Sequence, residues 1–213
     1  MLLMLMVRPK LRSGQGGNRP PERIFSGNDL GPVEKAGRHG RGAGLVRRFP
    51  AGSVDFGRYN VGVDIVIRDF KPEDFQTLWR IDQECFPPGI AYSKQELKAY
   101  IQGRGTFTLV AEDGKKKLGE AVGFIVVHSG ATGHVITIDV IVGARRSGVG
   151  SVLLHAAEER LRTAGSRAAV LETAVDNLAA LSFYKRHGYS VVRTRPRYYS
   201  NGVDALVLRK ELT

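Results

Sequence analysis

Arg145-Arg146-Ser147-Gly148-Val149-Gly150-Ser151 follows a strand-like run and opens an amphipathic helix, and the reading of the whole chain turns on this junction. A helix N-terminus leaves backbone N–H groups unpaired and carries a partial positive charge, and glycines let the main chain come close to a phosphate. The segment is therefore a candidate pyrophosphate cradle, with Arg145 and Arg146 as charge-assisted donors at its rim. The plainer alternative is a tight strand-to-helix turn that binds nothing. A P-loop would need Gly-Lys-Ser/Thr, and no lysine stands in Gly148-Val149-Gly150-Ser151. A dinucleotide fold would need a third glycine where Leu153 stands, and a parallel βαβ repeat around it.

Working outward, Val149, Val152, Leu153, Ala156, Ala157 and Leu161 fall on one helical face and Gly165 marks the exit. Beyond it, 168–173 reads as a buried strand. A helix over 177–187 follows, capped by Asp176 or Asn177, and 189–195 and 203–208 read as a closing pair of strands. Upstream, 106–112, 121–128 and 134–142 are strand-like. The turns between them, Asp113-Gly114 with three lysines and Ser129-Gly130, predict an antiparallel meander. Further back, 63–68 is a short strand and Pro72-Glu73-Asp74 suits a first helical turn. Helical spacing then runs to about Cys85, where Pro87-Pro88-Gly89 breaks it. Ser93 with Glu96 three residues on is a capping box for a second helix running towards Gly103. The order is βααβββαβαββ. It predicts one α/β (α+β) domain over 61–213, with a mixed central sheet flanked by helices and no internal repeat.

With 213 residues, 42% hydrophobic and 25% charged, the chain can build one well-cored domain with residues to spare. The apolar opening, 1–7, is too short for a bilayer span and is followed by no small-residue cleavage site, so a cytoplasmic protein is expected. The single cysteine, Cys85, allows no intrachain disulfide and reads as a core thiol. Net charge is +11, and 1–60 carry 11 Lys+Arg against 4 Asp+Glu. This basic Gly/Pro/Arg/Ser-rich extension has the composition of an unfolded tail; nucleic-acid contact and a start site downstream of it are the other readings.

Here the motifs reach a known pattern. Arg145-x-x-Gly148-x-Gly150 resembles the Q/R-x-x-G-x-G/A signature by which N-acetyltransferases of the GNAT superfamily hold the coenzyme A pyrophosphate. Leu171-Glu172-Thr173, then Asn177, then Phe183-Tyr184-x-x-x-Gly188-Tyr189 looks like the corresponding block of the branch that acetylates protein N-termini, which includes the ribosomal-protein-alanine enzymes. Cys85-Phe86-Pro87 with Tyr92-Ser93, and Tyr198-Tyr199-x-x-Gly202-x-Asp204-Ala205, match it too. The chain departs at Val142 and Ala144, where the branch has a proline and an aromatic, and at Thr173, where it has a valine.

The resemblance implies acetyl-CoA as co-substrate and the α-amine of a protein or peptide as acceptor, ribosomal proteins among the candidates. The cradle, Arg145, Arg146, Ser147, Gly148, Val149, Gly150 and Ser151, would hold the pyrophosphate, and by analogy the amides of Val140 and Val142 would face the acetyl carbonyl and the pantetheine. Asn177 would bond the pantetheine arm, cap its helix, or both. Glu172, ending a buried strand, is the candidate general base, and partial burial is expected to raise its pKa. The resemblance puts the phenol of Tyr184 near the coenzyme sulfur as proton donor; an ordinary phenol titrates at about 10, above a thiol at about 8.5. Phe86, Pro87, Tyr92, Tyr198 and Tyr199 are expected to line a peptide groove, or simply to pack loops. At pH 7 an α-amine costs roughly 1 kcal/mol to deprotonate and a lysine roughly 4.6, so one modest base suits an N-terminus. A lysine or small-molecule amine as acceptor, a non-catalytic acyl-CoA-binding regulator and a basic-tail nucleic-acid binder are the competing functions. His39, His128, His134, His155 and His187 show no metal-ligand spacing, and no metal is expected.

Overall fold

The computed structural model describes residues 58–60, 64–115, 120–199 and 201–212. The extension expected over 1–60 lies outside the described residues except for its last three, which form a short strand, β1 (Arg58–Asn60), absent from the sequence reading. The chain then runs β2 (Asp64–Asp69), a single 3-10 turn (Pro72–Asp74), α1 (Phe75–Cys85), α2 (Lys94–Ile101), β3 (Thr106–Asp113), β4 (Ala121–His128) and β5 (Thr132–Val140). After a second 3-10 turn (Val142–Ala144) come α3 (Val149–Thr163), β6 (Ala168–Ala174), α4 (Leu178–Arg186), β7 (Ser190–Arg195) and β8 (Ala205–Glu211). From β2 onward this is the expected βααβββαβαββ order.

The strands form one sheet in the order β1-β2-β3-β4-β5-β6-β8-β7. Neighbours from β1 to β5 pair antiparallel, β3, β4 and β5 as the turns between them predicted, and the sheet is mixed because β5 and β6 run parallel. That parallel pairing is brief. It holds only at Thr132↔Ala168, Gly133↔Ala169 and His134↔Val170, after which the two strands part. The cause is local. The register of β4 against β5 slips between Val126 and Val127, so Val127 faces Val135 while Val126 faces Thr137, leaving Ile136 as the extra residue of a bulge. A bulge bends its strand and changes which side its residues face: Val135 belongs to the core on one side of the sheet, Ile136 to the core on the other, and Ile138 again to the first.

Those two cores are the two faces of the sheet. On one, α3 buries Val149, Val152, Leu153, Leu154 and Leu161 with Leu109, Ile125, Ile138 and Leu171; each large aliphatic removed from water contributes about 1.5–3 kcal/mol. On the other, Leu78 and Ile81 of α1 and Leu97 and Tyr100 of α2 pack on Val110, Phe124 and Val126. α2 begins as its capping box requires: Ser93 Oγ accepts from the Glu96 amide at 3.2 Å, and the Glu96 carboxylate accepts from the Ser93 amide at 2.9 Å.

Candidate active site

The opening between β5 and β6 and the start of α3 share one cavity of about 290 Å³. Val140, Arg145, Arg146, Gly148, Gly150, Ser151 and Phe86, which the sequence reading named for a cofactor site and an acceptor groove, are among the residues that line it. The cradle itself is built from backbone. Gly148 sits at φ 93° as the residue before α3, Arg146 is also left-handed at φ 62°, and no side chain caps the helix. Val152 is the residue that first bonds back, to the Gly148 carbonyl, so the amides of Val149, Gly150 and Ser151 precede the helical ladder. Ser147 turns its hydroxyl away, donating to the Ala144 carbonyl at 2.7 Å.

Two details correct the sequence reading. Arg145 does not stand at the rim: its Nε donates to the Val140 carbonyl at 2.9 Å and its guanidinium reaches the Cys85 sulfur at 3.4 Å, because strand β5 has just ended and left that carbonyl without a neighbour. The strand expected to continue through Val142 ends at Val140, and Val142, 55% exposed, lies in the 3-10 turn with its amide donating to the Glu84 carboxylate at 3.2 Å.

Glu172 and Tyr184 do not line the cavity; both are fully buried, at 0% exposure. Glu172 extends from β6, and its Oε2 lies 2.7 Å from His134 Nε2 on β5, while Arg195 comes within 3.9 Å of Oε1. Burial is the largest influence and pushes the carboxyl up, but His134, Arg195 and Arg193 together hold it below the ordinary carboxylate value. The expected rise through partial burial is thus reversed by partners that sequence spacing did not reveal. Tyr184 packs its ring among the α3-side core, edge-on to Phe183 and Tyr189 at 5.1 and 5.6 Å between centroids. Its hydroxyl has no hydrogen-bond partner. Burial, then Asp139, then Tyr199 raise its pKa well above that of a free phenol, so it stays protonated. Asn177 caps α4, its Oδ1 accepting from the Ala180 amide at 3.1 Å.

The expected groove residues divide. Phe86, Tyr92, Tyr198 and Tyr199 join one buried cluster under α1 and α2, with Tyr198 and Tyr199 edge to face at 5.3 Å. Pro87 is exposed at the end of α1. The structure also brings to the site residues the sequence reading did not assign to it: Cys85, Ile138, Asp139, Phe183 and Arg186 line the cavity. Burial pushes the Cys85 thiol up to about 12, Asp139 adding to the effect. An unbroken alternation through 134–140 would have hidden Asp139's role in any case, since the bulge at Ile136 sets where that side chain points. Among the described residues no cluster of three or more His, Cys, Asp or Glu is placed to hold a metal, and no helix is long and apolar enough to cross a membrane.

An uncapped helix start preceded by a left-handed glycine, a cavity and a buried hydroxyl without a partner fit a thioester carried on a pyrophosphate-bearing tail, which is the chemistry of acetyl-CoA. Comparison with known proteins agrees. Residues 75–189 match the Acetyltransferase (GNAT) family. The chain is 34% identical over 116 residues to N-alpha-acetyltransferase 30 of Schizosaccharomyces pombe, covering 54% of this chain and 77% of that one. It is 27% identical over 175 residues to an N-alpha-acetyltransferase of Sulfurisphaera tokodaii, covering 75% and 100%. In structure it is similar to the NatC complex bound to Gag peptide and CoA, with TM-score 0.61 and 25% identity over 70% of this chain and 99% of that one. The chain therefore belongs to the acetyltransferase (GNAT) family and is an enzyme that moves an acetyl group from acetyl-CoA to an amine.

Proposed function

We propose that the acceptor is the α-amine at the N-terminus of a protein, with Glu172 as general base and Tyr184 as proton donor. The observation that carries the reading is one buried carboxylate, Glu172 on β6, and one buried phenol without a hydrogen-bond partner, Tyr184 on α4, on the two elements that succeed the start of α3 in the chain. A single base of this kind suits the small cost of deprotonating an α-amine better than the larger cost for lysine. The names of the two N-alpha-acetyltransferase relatives support the same choice.

Acetyl-CoA, when bound, supplies the activated acyl group and a thiol leaving group. In this reading the α3 start and Arg146 hold the pyrophosphate, with Arg145 joining them by leaving the Val140 carbonyl. Val142 offers its amide to the pantetheine once Glu84 releases it, and Asn177 fixes the first turn of α4. Glu172 takes the proton from the acceptor amine, and Tyr184 offers its hydroxyl hydrogen to the sulfur as the C–S bond breaks. Phe86, Pro87, Tyr92, Tyr198 and Tyr199 form the side on which the peptide enters. Ribosomal proteins are the first acceptors to try, the cytoplasm is the compartment assigned, and 1–60 is treated as a basic extension outside the catalytic domain, with nucleic acid as its candidate contact.

The test offers acetyl-CoA and short peptides, half with a free N-terminal amine and half N-terminally blocked but containing lysine, and measures thiol release. Turnover confined to the free-amine set is the expected result. Turnover on blocked lysine peptides, or on neither set, refutes the acceptor assignment.

A further inference from the structure

Among the described residues that line the cavity, Asp139 is the one acid, set against Arg145, Arg146 and Arg186. The charges are sorted by place. Arg145 and Arg146 lead into α3 and Arg186 ends α4, whereas Asp139 faces Phe124 in the β4–β5 register, and Phe124 belongs to the core under α1 and α2. Directly paired residues of a ladder share a face of the sheet, so the Asp139 side chain lies on the α1 side. Thr137, opposite Val126 on that same face, donates from Oγ1 to Asp139 Oδ1 at 3.0 Å. Cys85 and Phe86, from the end of α1, meet this face and also line the cavity. The last β5 residue joined to β6 is His134, so Asp139 stands where the two strands have parted. It is only 1% exposed, and its charge reaches both neighbours of the reacting sulfur: after burial, it is the next influence raising the Cys85 thiol and the Tyr184 phenol.

We propose that Asp139 receives the acceptor: its carboxylate pairs with the α-ammonium as the peptide N-terminus enters from the α1 side of β5. The inference rests on the α-amine reading given above. The arginines suit the anionic cofactor, and a carboxylate repels it, so the complement of Asp139 is the other substrate. That substrate is chiefly a cation at pH 7, since an α-amine titrates at about 7.7. A carboxylate withdrawn from water attracts such a cation more strongly than a solvated one does. Thr137 fixes the carboxylate through Oδ1, so the acceptor nitrogen is placed as well as attracted. Charge thereby becomes the first criterion of selection: the site takes an ammonium and turns away neutral groups of the same size, hydroxyls and water among them. A site built around a polar pairing rejects an analogue that lacks it, because the buried partner is then left without its complement. No bond forms or breaks at Asp139; it places the nitrogen, and the proton and acetyl transfers follow.

The experiment measures, by calorimetry on the full chain saturated with coenzyme A, the affinities of two peptides that differ in one group: an accepted peptide with its free α-amine, and the same peptide with a hydroxyl in place of that amine. Wild type is expected to bind the ammonium peptide at least about tenfold more tightly, as a charge-assisted pairing implies. In Asp139→Asn, which keeps the shape and loses the charge, the preference should fall to about threefold or less, with the hydroxyl peptide bound as before and KM for acetyl-CoA unchanged. Asp139→Ser takes its place if the asparagine variant does not fold, circular dichroism being the check. Equal affinities in wild type overturn the proposal, as does a preference that survives in the variant. An equal loss for both peptides means a structural role only and overturns it too. Glu172→Gln is run on the same pair: a preference lost there and kept in Asp139→Asn places the ammonium at Glu172 and overturns the assignment to Asp139. Acetylation of blocked lysine peptides instead of free N-termini removes the α-amine reading alone. The pair is then built on the lysine side chain, amine against hydroxyl, and the same outcomes decide the role of Asp139.

Discussion

Replacing Tyr184 by phenylalanine should separate catalysis from stability in opposite directions. The ring of Tyr184 is wholly buried and contacts Phe183 and Tyr189 edge-on, all of which phenylalanine keeps. Only the hydroxyl is lost, and that hydroxyl has no hydrogen-bond partner. A buried, unsatisfied polar group costs about 1–3 kcal/mol, so its removal should leave the fold unharmed or stabilise it by about 1 kcal/mol, which is roughly 2–4 °C in Tm for a domain of this size. Proton donation in the transition state contributes about 10²–10⁴ in rate. We therefore expect kcat to fall at least tenfold with KM for acetyl-CoA nearly unchanged, while the melting temperature holds or rises. The assays are differential scanning fluorimetry and steady-state thiol release on one preparation. A variant that melts several degrees lower and keeps its activity within threefold of wild type would refute both the packing and the chemical reasoning.

The pKa of Glu172 is depressed, so its charge stabilises the fold above the unfolded value near 4.5, and that contribution is lost as pH falls through the folded value. Urea melts from pH 3 to 7 should show the stability gap between wild type and Glu172→Gln closing towards the acid end; a gap constant with pH would count against the ionised state. Gly133→Ala would place a Cβ 2.4 Å from Leu161 Cδ1, and Leu161 is fully buried and cannot yield. A loss of about 1–3 kcal/mol by chemical denaturation is expected, relieved in part by adding Leu161→Ala. At Gly148, whose φ of 93° suits glycine, alanine should cost about 1–2 kcal/mol and raise KM for acetyl-CoA severalfold, and an unchanged KM would remove this turn from the binding site.

Much of this was legible in the sequence because the signals are local. The α3 stripe, the Ser93–Glu96 box and the meander turns each lie within a few residues, and the structure has all of them where they were read. The cradle could be placed for the same reason, since glycine and a strand-to-helix change are neighbours in the chain. What the sequence hid depends on register. The bulge at Ile136 inserts one residue into an otherwise apolar run, and nothing in Val135-Ile136-Thr137-Ile138 distinguishes the extra residue from its neighbours. That single insertion decides where Asp139 points and where β5 leaves β6. His134 looked like an isolated ring because its carboxylate is 38 residues away. Arg145 was expected to face outward because a Val140 carbonyl left without a strand partner cannot be inferred until the strand's end is known.

Cys85 deserves a last chemical consequence. Its sulfur lines the cavity into which a thioester must enter, and a thiolate there would capture the acetyl group by exchange, leaving the enzyme acylated on itself. Only the thiolate is nucleophilic. With the thiol pushed up to about 12 by burial, roughly one molecule in 10⁵ carries the anion at pH 7, against about one in 10² for a thiol titrating near 9. The chain therefore keeps a sulfur beside its reactive substrate without diverting acyl groups to it, and its loyalty to an external amine is set as much by that silence as by any residue that takes part in the reaction.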